Sequence, residues 1–190
     1  WGVTNRFPYV FGSMLALNRA SDIRGNYDKM RRRAELVRDD PMCKGYILWP
    51  EMSHSDIFAW RFFAENCWKF SHESVDSLLV AFCRDRYGDQ AESLLPIWRK
   101  VIGFASKLGW DRNFTCNLLD RYNSDGYVPR RNDAQRWAGA RRAMGGKYAE
   151  IPAREVFSAL ADIKWEGAFV RRDAIDLART TLDRVLYTAI

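Results

Sequence analysis

The chain has 190 residues, 47% of them hydrophobic, with 8 Trp, 8 Tyr and 11 Phe; that is enough for one or two packed cores and argues against disorder. No apolar run approaches the roughly 20 residues that a membrane-spanning helix needs. The net charge of +6 raises nucleic-acid binding as a function, but Lys29-Met30-Arg31-Arg32-Arg33 is flanked by Asp28, Glu35, Asp39 and Asp40, and the pairs Arg130-Arg131 and Arg141-Arg142 stand among Asp and Ala. These are solvated helix faces and loops, and no nucleic-acid partner is expected.

In chain order, Trp1-Gly2-Val3 reads as the middle or end of a strand, so the chain is expected to be a piece of a longer protein. Residues 10–18 are apolar and read as a helix. Residues 27–37 read as a surface helix ended by Asp39-Asp40-Pro41. The next run, Gly45-Tyr46-Ile47-Leu48-Trp49-Pro50, is short, aromatic and aliphatic, and reads as a buried strand. From about residue 71 the pattern turns helical. Ser71 or Ser74 can cap a helix carrying Val75, Leu78, Leu79 and Phe82, which Gly88 stops. A second helix presents Ala91, Leu94, Leu95, Trp98 and Ile102, with Pro96 as a kink. Residues 111–132 read as loop or short helix, with a turn at Asn123-Ser124-Asp125-Gly126. Helices follow over 134–144, 153–163 and 173–189, the last with Ile175, Ala178, Leu182, Val185 and Leu186 in register. The fold class is therefore α/β followed by all-α. Residues 1–70 form the α/β part, and residues 71–190 form a helical domain.

Glu51 carries the chemistry. Pro50 cannot donate to a sheet ladder, so pairing stops there and the next side chain sits at the strand's C-terminal mouth. In a (β/α) barrel, catalytic groups collect at that mouth. A carboxylate beside Trp49, His54 and Asp56 suggests glycoside chemistry, in which one carboxyl attacks the anomeric carbon and a second donates a proton. The alternative role for Glu51 is to cap the helix that follows. His54 either bonds a sugar hydroxyl or the Glu51 carboxylate, or starts that helix with no ligand, and Ser55 and Asp56 read as caps. Trp1, at a strand end, either stacks on a sugar or packs in the core. Trp60, Phe62, Phe63, Trp68 and Phe70 recur too densely for a sugar platform and read as core. Cys43, Cys67, Cys83 and Cys116 include no C-x-x-C pair, so no metal site is expected. Asn113-Phe114-Thr115 fits the glycosylation acceptor pattern, a weak pointer to secretion.

Three segments, Gly45-Tyr46-Ile47-Leu48-Trp49-Pro50-Glu51-Met52, Phe63-Ala64-Glu65-Asn66-Cys67-Trp68 and Arg84-Asp85-Arg86-Tyr87-Gly88, together resemble the α-N-acetylglucosaminidase family, glycoside hydrolase family 89. That family shows Gly-x-Gly-x-x-Pro-Glu-Gly, a helix ending Glu-x-x-Trp, and Arg-Arg-Tyr-Gly at matching intervals. Phe169-Val170-Arg171-Arg172-Asp173-Ala174-Ile175-Asp176-Leu177-Ala178-Arg179 is similar to the family's aromatic-x-Tyr-Asp-Leu-Val-Asp-Leu-Thr-Arg-Gln segment. The resemblance implies the C-terminal portion of a (β/α) barrel followed by a helical domain. It also implies a retaining exo-glycosidase acting on a terminal hexosamine or related sugar without a cofactor. Glu51 would be the nucleophile, and the acid/base Glu would lie on an earlier strand outside this chain, leaving the fragment alone inactive. A secreted, periplasmic or lysosomal setting is implied as well. Trp1-Gly2-Val3-Thr4-Asn5-Arg6-Phe7 loosely echoes the family's Trp-x-x-Leu-His-Asn-Phe-Gly-Gly, which makes Trp1 and Asn5, with Trp49 and His54, the expected sugar contacts. Met52 replaces a family Gly, and Asp56 stands near its usual Asn. The rival class is a non-catalytic helical interaction or carbohydrate-binding module.

Overall fold

A computed structural model describes residues 4–14, 23, 25, 27–49, 56–68, 74–107 and 147–189. Its elements are β1 (Tyr9–Met14), α1 (Tyr27–Arg38), β2 (Cys43–Trp49), α2 (Ile57–Trp68), α3 (Val75–Tyr87), a 3-10 turn (Gly88–Gln90), α4 (Ala91–Lys107), α5 (Lys147–Asp162) and α6 (Ala168–Ala189). The expected strand at Trp1-Gly2-Val3, the loop 111–132 and the helix 134–144 lie outside the described residues, as does the acceptor triplet at Asn113.

β1 corrects the sequence reading. Residues 10–14, expected in a helix, form a strand that pairs in parallel with β2, from Tyr9↔Cys43 to Met14↔Trp49. A short apolar run such as Tyr9-Val10-Phe11 suits a strand or a buried helix equally, and the partner strand decides. Two parallel strands with α1 in the connection make a β-α-β arrangement, which antiparallel hairpin chemistry cannot produce. On α1, Tyr27, Ala34 and Val37 are buried and Arg32 and Arg33 are exposed, as a solvated basic face should be, while the half-buried Arg31 pairs with Glu35 at 3.1 Å.

The helical signals are largely where the sequence puts them. Ser74 Oγ accepts the Ser77 N–H at 3.0 Å and caps α3. Gly88, at φ +55°, ends it with its N–H on the Arg84 carbonyl. Pro96 lies inside α4 on an exposed face. α5 starts at Lys147, ahead of Pro152, and not at residue 153. α6 starts at Ala168, five residues before the expected 173.

The inner face of α6 is the larger correction. Ile175 and Leu182, expected in the core, are 57% and 48% exposed. The buried face is Val170, Asp173, Ala174, Leu177, Thr180 and Thr181. Its polar members are satisfied one by one. Thr180 Oγ1 accepts the Ile23 N–H at 3.1 Å, and Thr181 Oγ1 donates to the Leu177 carbonyl at 2.8 Å. Asp173 receives the Arg86 Nε–H, the Arg86 Nη2–H at 3.1 Å and the Tyr87 hydroxyl at 2.7 Å. Trp98 Nε1–H in turn donates to the Tyr87 oxygen at 2.9 Å, so α3, α4 and α6 meet in one polar cluster.

Both halves of the chain share a single core. Edge-to-face rings run from Tyr27 to Phe58 (4.7 Å), Phe82 (5.4 Å) and Trp98 (5.4 Å), linking α1, α2, α3 and α4. Phe62 belongs to the same cluster, with Trp60 packed against it. Gly25, at φ +70°, presses on the backbone of α4: a Cβ there would stand 2.7 Å from the Ile102 carbonyl oxygen and from the Ser106 nitrogen. The change of texture near residue 70 is thus not a gap in packing.

Removing one partner of a buried ion pair strands the other charge, at a cost of roughly 3–5 kcal/mol. Asp173 is 1% exposed, so Asp173→Ala is expected to lower unfolding free energy by about that amount in urea titration. Asp76→Ala breaks a bidentate but half-exposed pair with Arg99 and is expected to cost far less. Equal losses would remove Asp173 as a keystone.

Candidate functional site

The C-terminal ends of β1 and β2 lie side by side, because Met14 pairs with Trp49. In parallel α/β arrangements this end of the sheet is where ligands and catalytic groups gather. Glu51 follows the last residue of β2 by two positions. Glu51, His54 and Trp1 lie outside the described residues; for Trp49 the backbone is placed as the end of β2 and the side chain is not described.

The far side of that segment is anchored. Asp56 is buried, with φ +45°, a left-handed conformation that Asp tolerates better than most residues. Its Oδ1 accepts the Ala59 N–H at 3.1 Å and the Tyr27 hydroxyl at 2.7 Å. The cap of α2 is therefore Asp56, as its residue type predicts, and the capping role considered for Glu51 is filled by another carboxylate. Tyr27, 1% exposed, ties this cap to α1. Nothing in the local sequence around Tyr27 signals that role, since its partner is 29 residues away.

Asn5 stands elsewhere. It lies in the turn before β1, at φ +57°, and its N–H donates to Asp40 Oδ2 at 3.1 Å. The same oxygen accepts the Tyr9 hydroxyl at 2.7 Å, and Asp40 Oδ1 accepts the Met42 N–H at 2.9 Å. This knot sits where both strands begin. A six-residue strand is about 20 Å long, so the structure separates Asn5 from the strand ends that precede Glu51 and does not bring the two together. The knot braces the start of the sheet.

The charges of the knot respond accordingly. Burial pushes the Asp40 carboxyl up, but the hydrogen bonds from Met42, Tyr9 and Asn5 prevail and hold it below its ordinary value. Burial and the bond to Asp40 push the Tyr9 phenol up to about 12. In the cluster on α3, burial and then Asp173 raise the Tyr87 phenol, while Asp173 outweighs the burial penalty on Arg86 and raises its guanidinium. Burial pushes the Cys83 thiol up to about 12, so it is an inert core residue. Cys43 and Cys67 are free and half-buried. Among the described residues, no three His, Cys, Asp or Glu side chains stand together to hold a metal ion, and no helix is long and apolar enough to cross a membrane.

Comparison with protein-family models, with curated proteins and with solved structures yields no match.

The Asp40 knot makes a prediction with a definite sign. A carboxyl whose folded value is depressed contributes stability above its unfolded value of about 3.9, and that contribution is lost as pH falls through the folded value. Asp40→Asn is expected to melt below the wild type at pH 7, with the gap closing as the pH drops below about 4. Tyr9, raised in the fold, stabilises below its unfolded value of about 10 and loses this between about pH 10 and 12. A gap between Asp40→Asn and wild type that persists unchanged to pH 2 would exclude this role for the carboxylate.

Proposed function

We propose that the chain is part of a retaining exo-glycosidase resembling α-N-acetylglucosaminidases, built as the last portion of a (β/α) barrel followed by a helical region, with Glu51 as the nucleophile. The observation carrying this reading is that the cap of α2 is Asp56. Glu51 then remains as a carboxylate two residues beyond a parallel strand whose neighbour ends level with it. Further support is that two segments of the resemblance meet in space: Arg86 and Tyr87 of Arg84-Asp85-Arg86-Tyr87-Gly88 both bind Asp173 of the Phe169 segment.

The chemistry needs two carboxyls about 5–5.5 Å apart. Glu51, ionised, attacks the anomeric carbon of a terminal hexosamine or related sugar. The glycosidic bond breaks, and the leaving oxygen takes a proton from an acid/base carboxyl supplied by an earlier strand outside residues 1–190. Water, deprotonated by that same carboxyl, then displaces Glu51 from the glycosyl-enzyme. Trp49, Trp1 and His54 are the sugar contacts in this reading. Asn5, which precedes β1 at the opposite end of the strands, is left out of it. No organic cofactor or metal takes part in these steps.

The test is Glu51→Gln in the intact protein, which keeps the shape and removes the charge. Folding is expected to survive, with an unchanged melting temperature, while turnover of an aryl glycoside falls by roughly three orders of magnitude or more. Glu51→Ala with azide is expected to recover part of the rate and to yield a glycosyl azide of inverted configuration. A Gln variant that keeps its rate, whatever its stability, rejects the nucleophile and favours the non-catalytic carbohydrate-binding or interaction module.

A further inference from the structure

A groove runs over the polar cluster of α3 and α6. On one side is an open hollow of about 270 Å³ lined by Arg61, Phe82, Asp85, Arg86 and Phe169. On the other is a second hollow of about 240 Å³, where Arg86 and Phe169 recur beside Gln90 and Glu166. Phe169 and Arg86 thus line both hollows. The Arg86 guanidinium lies 4.3 Å from the Phe169 ring centroid, yet Phe169 is 56% exposed, so much of the ring surface faces solvent. An aromatic ring in that state is a flat apolar platform that water covers poorly.

The charges decide what the platform can take. Arg61 pairs with Glu65 and with Asp85, each at 2.9 Å, and Arg86 is held by Asp173. Three carboxylates answer two guanidiniums, so the groove does not call for an anion. It does offer donors and acceptors at close spacing. A guanidinium has five N–H donors, more than these carboxylates take up, and an ionised carboxylate has about four acceptor positions. In the second hollow, Gln90 gives its Nε2–H to the Glu166 carbonyl at 3.2 Å, while its buried Oε1 has no partner. Each hollow falls just below the roughly 300–1,000 Å³ of pockets for drug-sized ligands, which leaves room for one small ring. A neutral ring with one apolar face and hydroxyls that both donate and accept matches these features together.

We infer that the groove at Phe169 is a non-catalytic subsite for a neutral sugar ring, stacked on Phe169 and hydrogen-bonded by the Arg61–Asp85 pair. The inference does not depend on Glu51 as a nucleophile, and it holds equally if the chain is a binding module. The test is titration of the ¹⁵N-labelled 190-residue chain with N-acetylglucosamine, with glucose and with glucuronate, following the Nε–H resonances of Arg61 and Arg86. The neutral sugars are expected to shift both resonances, with a dissociation constant on the order of millimolar. Phe169→Ala is expected to weaken this about tenfold or more, while Phe169→Tyr stays within about twofold of wild type. Because Phe169 also covers Arg86, Asp85→Asn, on an exposed side chain, serves as a second variant and is expected to weaken binding about fivefold at an unchanged melting temperature. Glu51→Gln is expected to leave the titration unaltered, so this site can fail or stand separately from the catalytic reading. The inference is overturned if neither neutral sugar shifts the two resonances. It is also overturned if the shifts survive both Phe169→Ala and Asp85→Asn, or if glucuronate binds more tightly than the neutral sugars.

Discussion

Asp173 sits almost wholly out of water on the inner face of α6, and a carboxylate in that position has to be met by charge and hydrogen bonds or the helix cannot dock. Arg86 supplies the charge and two N–H groups, and Tyr87 adds a hydroxyl. Trp98 also donates to the Tyr87 oxygen from α4, which ties a third helix to the cluster. The register of three helices is therefore set by one acid. Hydrophobic burial supplies most of the driving force, but it is non-directional. Among the rotations α6 could adopt, one satisfies Asp173 and Thr180 together, and that one turns Ile175 and Leu182 outward.

The same docking holds the α/β part. Thr180 on α6 receives the Ile23 N–H, and Gly25 lies against α4 at a distance no side chain could share. Tyr27 then begins α1 with its ring on Phe58 and its hydroxyl on Asp56. A continuous path of contacts thus leads from the keystone acid to the residue that caps α2, just after the segment holding Glu51. In the glycosidase reading, the helical region is more than an appendage, because it positions α2, the helix that follows the segment holding Glu51. At the other end of the strands, Asp40 gathers Asn5, Tyr9 and Met42 and braces the start of the sheet. Two buried carboxylates thus have separate tasks: Asp40 braces the start of the sheet, and Asp56 caps α2 and ties it to α1.

Elements with strong local chemistry were legible in the sequence. The 3.6-residue stripe and the Ser74 and Gly88 caps defined α3, the acidic turn at residues 39–40 ended α1, and proline closed β2. Asp56 as a cap and Phe62 as core followed from residue type and spacing. What failed did so for a common reason. Residues 10–14 are apolar without period, and only β2 makes them a strand. The inner face of α6 carries an acid and two threonines, so a hydropathy stripe points to the wrong side of the helix.

For the site, the sequence alone determined that a glutamate follows a proline-closed apolar run, and it is this that the proposal of glycoside chemistry starts from. It left two roles open for Glu51, since capping and catalysis use the same side chain in the same sequence position. Only the tertiary structure decided that Tyr27 ties the Asp56 cap to α1, that Asn5 belongs to the opposite end of the strands, and that Arg86, Tyr87 and Asp173 form one cluster. Each of these rests on partners 29 to 87 residues apart or on the direction of a parallel pair. Local composition governs how a segment folds against itself. Which buried polar groups find each other is settled only when distant segments pack, because the penalty for leaving them unpaired exists only in the assembled interior.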